Sequence, residues 1–144
     1  MALKALAAAE KHGISPALVC SIVEVCSGWD ASLTEWTPNR ALLGEHPVDL
    51  GGEGNWVAMG TRWGLMQILG HDAYHAGYRG PFDTVEGALD AGCLTLRQLL
   101  AKHEDETKAT LMWFGTERKG LARRVLAVLP QMREFVEAKP CDAT

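Results

Sequence analysis

Between Val85 and Leu100 apolar side chains recur mostly every three or four residues, at Val85, Ala88, Leu89, Cys93, Leu94, Leu96, Leu99 and Leu100. This spacing gathers them on one face of a helix, and that face has to be covered by other elements. Asp83 or Thr84 stands before it as an N-cap. The same period governs much of the remaining chain. Residues 2–12 carry apolar side chains at helical spacing and stop at Gly13, a residue suited to the left-handed backbone that ends a helix. A second helix starts at once, with Ser15 as N-cap, Pro16 at the first helical position and Leu18, Val19, Ile22, Val25 and Cys26 on its buried face. It should end near Gly28. Two further helices are expected over Glu106 to Phe114 and Leu121 to Val136, with Gly115 and Gly120 bracketing the turn between them and Pro130 a candidate kink. No stretch shows sustained strand alternation, and the chain has no internal repeat. The expected class is all-α.

Its 144 residues suit one domain, read as spanning the whole chain, with a single core. The helical pattern dissolves from Ala31 to Thr61, where glycines, Pro38 and Pro47 alternate with Glu35, Glu45, Asp49 and Glu53; a loop this long inside a compact domain usually serves function. Trp63 to Leu69 resumes an apolar run, and Asp72 to Ala76 extends it as a short helix before Gly77. The net charge of −4 provides no basic field for phosphates, so nucleic acid is not an expected partner. No apolar run reaches the roughly 20 residues of a membrane span, and Lys4, Glu10 and Lys11 interrupt the N-terminal segment, which reads as an amphipathic helix and not a signal peptide. Cys20, Cys26, Cys93 and Cys141 lack zinc-site spacing, and reduced thiols in a cytoplasmic protein fit them best.

Several short motifs follow one another in order. The segment from Gly13 to Val25 leads into Cys26-Ser27-Gly28-Trp29-Asp30. Trp63-Gly64-Leu65-Met66-Gln67-Ile68 comes further on, followed by Phe82-Asp83, Glu86 to Cys93, and Trp113-Phe114-Gly115-Thr116. From about Gly13 to Phe135 the chain resembles the lysozyme-like superfamily, specifically the soluble lytic transglycosylase and goose-type lysozyme family. The first segment is similar to that family's first core helix and the Glu-Ser pair after it, and Gly64 to Gln67 is similar to its Gly-Leu-Met-Gln signature. The resemblance implies a helical lysozyme-like domain acting on, or binding, peptidoglycan glycan strands or another small ligand, with Ser27, Thr37, Trp63, Gly64, Leu65, Met66, Gln67, Trp113 and Phe114 lining the cleft.

Three positions depart from that pattern. Cys26 stands where the family has its catalytic glutamate, Thr37 in Trp36-Thr37-Pro38 replaces a second acid, and Phe114 replaces an asparagine. Glu24 does not rescue the acid, because two residues along a helix rotate a side chain by about 200°. Glycosidic cleavage needs a group that protonates the departing oxygen, and a carboxyl raised by an apolar pocket does this well. A thiol is shorter and has an ordinary pKa of about 8.5, so glycosidase activity is expected to be weak or absent. The chain is then an inactivated variant or a pseudoenzyme that keeps a glycan-binding cleft. Two alternatives stand beside this reading: Cys26 as a nucleophile on a non-glycan substrate, activated by a base such as His46, His71, His75, Glu45 or Glu53, and a structural or partner-binding protein.

Other residues carry two readings each. Cys26 can equally be a small buried filler. Gln67, polar within an apolar run, either binds ligand or ties helices together as a satisfied amide. Trp29, Trp63, Trp113, Tyr74 and Tyr78 can stack on sugars or build the cleft wall; Trp63 is the first choice for stacking. His71 and His75 have the four-residue spacing of a zinc pair but lack a third ligand, so neither metal nor cofactor is expected. Lys102 to Glu106 reads as a solvated helix end.

Overall fold

The computed structural model describes residues 1–37 and 58–137. Among them the chain is mostly helical, with a small three-stranded sheet. The elements in order are α1 (Ala2–His12), α2 (Pro16–Cys26), β1 (Thr34–Trp36), β2 (Thr61–Trp63), β3 (Ile68–Leu69), α3 (Gly70–His75), α4 (Val85–His103), α5 (Glu106–Phe114) and α6 (Lys119–Glu137). A single 3₁₀ turn over Thr116–Arg118 joins the last two helices.

Local chemistry accounts for most helix boundaries. Gly13 closes α1 at φ 65°, a conformation that costs an L side chain energy and glycine none. Ser15 accepts a hydrogen bond from the Leu18 amide, and Thr84 does the same for the Gly87 amide, each satisfying a donor the first turn leaves unpaired. Helix α6 continues through Pro130, so the carbonyl of Leu126 loses its helical donor there.

Helix α2 is the centre of the core. Every residue from Ala17 to Val23 is buried, which requires neighbours on all its sides; α6 packs most extensively against it, α1 also flanks it, and α1 in turn packs on α4. Leu18, Val19, Ile22, Val23, Leu65, Met66, Leu89, Leu96 and Val125 are among its fully enclosed large side chains.

The sheet amends the all-helical expectation. β1 and β2 pair antiparallel with Thr34 opposite Trp63 and Trp36 opposite Thr61, and β2 pairs with β3 through Arg62 and Leu69. Strands of two or three residues are too short to display a period-two pattern, and these exist because distant segments pair. β1 is exposed throughout. No helix among the described residues is long and apolar enough to cross a membrane. Much of the long loop, including Glu45, His46 and Glu53, lies outside the described residues, as does Cys141.

Candidate functional site

The Gly64–Gln67 segment forms the tight turn between β2 and β3. The Gln67 amide donates to the Gly64 carbonyl at 3.1 Å. Gly64 has φ 65°, and a Cβ there would sit 2.9 Å from the Ala88 Cβ on α4. Both the backbone conformation and the close approach to α4 therefore call for glycine. Leu65 and Met66 point into the core, at 1% and 0% exposure, so their side chains shape the site and do not reach a ligand.

Gln67 closes this turn with its own side chain. Its Nε2 donates to the Gly64 carbonyl at 2.9 Å and to the Leu33 carbonyl at 2.8 Å, tying the approach to β1 onto the turn. The residue is non-glycine at φ 51°, so these bonds hold a backbone conformation that glutamine otherwise disfavours. Of its two sequence readings, the tying amide describes the Nε2 contacts. The residue also lines a cavity described below, so the ligand-facing reading keeps a geometric basis.

The Cys26-Ser27 end of α2 meets this turn. The Ser27 hydroxyl lies 2.7 Å from the Leu65 carbonyl and 3.1 Å from the Val23 carbonyl; with one proton to give, its shorter partner is the turn. Cys26 is partly buried and not disulfide-bonded. Burial pushes its thiol up to about 11, against the opposing pull of the Arg118, Arg62 and Arg124 charges. A thiol so placed stays protonated at neutral pH and is a weak nucleophile. Glu24 lies elsewhere: exposed, it accepts a 2.5 Å hydrogen bond from the Trp29 indole, as the helical rotation argument requires.

The remaining sequence candidates fall into two groups. Trp113 lines a cavity of about 530 Å³ together with Gln67, Arg62, Arg118, His71 and Lys102. Its neighbour Phe114 is buried, and the Arg118 guanidinium sits 5.1 Å from the Phe114 ring. Thr37 instead spends its hydroxyl on the Gly60 carbonyl at 2.9 Å. Trp63 stacks on Phe82 with ring centroids 5.7 Å apart and donates to the Ala58 carbonyl, so one face of the proposed stacking platform is taken. His71 and His75 also line the cavity and face each other, Nε2 to Nε2 at 3.0 Å. Among the described residues no three His, Cys, Asp or Glu side chains converge as metal ligands would.

Arg62, Arg118 and Lys102 are the site residues that sequence reasoning passed over. Lys102, read as part of a solvated helix end, is on the cavity wall. The available signal was position: Arg62 immediately precedes Trp63-Gly64, and Arg118 follows Trp113-Phe114-Gly115-Thr116. Burial lowers the pKa of Arg118, and the adjacent Arg62 charge lowers it further. No family model, curated protein or solved structure matches this chain.

Proposed function

We propose that this chain is a lysozyme-like, peptidoglycan-directed protein that holds glycan strands in its cleft without cleaving them. The observation that supports this reading best is the 2.7 Å contact between the Ser27 hydroxyl and the Leu65 carbonyl, which joins segments 38 residues apart. It brings the Cys26-Ser27 segment against the Gly64–Gln67 turn, the juxtaposition that a transglycosylase cleft needs and that either motif alone does not supply. The absence of cleavage follows from position 26. A thiol whose pKa is about 11 gives up its proton reluctantly, and it is shorter than the carboxyl it stands in for.

The same surroundings suit a carboxyl better. At position 26 burial outweighs three arginine charges on the thiol, and burial of a carboxyl there would act in the direction that a general acid for glycosidic cleavage requires. The test is co-sedimentation with purified peptidoglycan combined with mass spectrometry of released fragments, for the unaltered protein and for Cys26→Glu. The unaltered protein is expected to sediment with the polymer and release nothing, and Cys26→Glu to release soluble glycan fragments. Failure to sediment would remove the proposal. Sedimentation with no release by Cys26→Glu would leave a binding protein whose site has departed further, at Thr37 and Phe114.

A further inference from the structure

The cavity between α3, α4 and α5 has a charge balance that its own walls do not satisfy. Arg62, Arg118 and Lys102 line it against a single acidic lining residue, Asp72. Neither arginine forms an ion pair among the described residues. The Arg118 guanidinium makes one long contact, 3.4 Å to the Trp113 carbonyl. Its Nε is buried without a hydrogen-bond partner, and so is the indole Nε1 of Trp113, a residue only 7% exposed. Two orphaned donors on neighbouring cavity residues are unusual, because a buried N–H without an acceptor carries the full cost of losing water.

Arg62 and Arg118 on the cavity wall have no carboxylate partner of their own among the described residues. From this we infer that the cavity is a receptor for a carboxylate carried on a small organic or saccharide ligand, with Arg118 and Arg62 facing its charge. A guanidinium presents parallel N–H groups that match the two oxygens of a carboxylate. Ile68, Leu99 and Met112 on the same walls suit the apolar body of an organic acid more than a free inorganic ion. This inference concerns the recognition of charge, and it stands whether or not the bound molecule is a glycan.

The test follows the Trp113 indole N–H signal in two-dimensional ¹H–¹⁵N spectra of the full chain during titration with D-lactate, N-acetylmuramic acid and N-acetylglucosamine. The two sugars differ in the lactyl carboxylate. The expected result is a saturable shift with D-lactate and with N-acetylmuramic acid and none with N-acetylglucosamine. Arg118→Gln should weaken the response by about 10- to 100-fold, as loss of a charge-assisted hydrogen bond does. Arg62→Gln should weaken it in the same direction should Arg118→Gln fail to fold. A response to D-lactate alone supports the carboxylate receptor and counts against a glycan in this cavity. Equal responses to both sugars with silence to D-lactate overturn the inference and leave the glycan reading standing. Silence to all three also overturns it, while sedimentation with peptidoglycan judges the glycan reading separately.

Discussion

The alkylation rate of Cys26 follows from its surroundings and can be measured directly. A thiol with a pKa of about 11 is ionised to about one part in 10⁴ at pH 7, whereas an ordinary thiol near 8.5 is ionised to about one part in 30. That is a deficit of about 300-fold in reactive thiolate. A more basic thiolate is intrinsically more nucleophilic, with a Brønsted slope of about 0.45, which returns about 13-fold. The net expectation is labelling by iodoacetamide about 20- to 30-fold slower than glutathione at pH 7, with partial burial slowing it further. The rate should climb about tenfold per pH unit from pH 6.5 to 9.5 without a plateau near 8.5. Peptide mapping by mass spectrometry separates the cysteines. Cys20 and Cys93, which are fully buried, should label more slowly still, because burial raises both thiols and takes Cys93 to about 12. Labelling of Cys26 at pH 7 as fast as glutathione would refute the reasoning and restore a nucleophilic cysteine as the leading explanation of the site.

Gln67→Leu removes two hydrogen bonds, to the Gly64 and Leu33 carbonyls, and should lower unfolding free energy by about 2 kcal/mol at about 1 kcal/mol per bond; a loss below about 0.5 kcal/mol in urea melts contradicts the tying role. Gly64→Ala combines a left-handed backbone with a Cβ 2.9 Å from Ala88 and should cost about 2–4 kcal/mol. Adding Ala88→Gly should recover part of that cost, and simple additivity in the double mutant would show that the two atoms do not meet. Asp90 tests the packing of α1 on α4. Burial acts to raise its pKa, but hydrogen bonds from His12 and Lys11 prevail and hold it below the ordinary value of 3.8. A lowered pKa in the folded state means the interaction stabilises fully above that ordinary value and fades as pH falls through the folded one. Acid melts of Asp90→Asn should therefore lose slope below about pH 4 relative to the unaltered chain, and parallel curves would remove the assignment.

Local chemistry made much of this fold legible in the sequence. Gly13, Ser15-Pro16, Thr84 and Gly115 mark helix ends because capping and left-handed backbone are decided within a few residues, and the spacing along α4 names Ala88, Leu89, Cys93 and Leu96, which are buried, whereas α2 is buried on all sides from Ala17 to Val23 and not on one face. What the sequence left open is what depends on pairing across distance. β1, β2 and β3 are too short to show a period, and only their antiparallel registers define them. The Ser27 contact with Leu65, the two carbonyls held by Gln67, and the cavity that Arg62, Arg118 and Trp113 line together are products of tertiary packing. Charge and hydrogen-bond satisfaction are sums over whatever neighbours the fold assembles, and no local pattern along the chain records that sum.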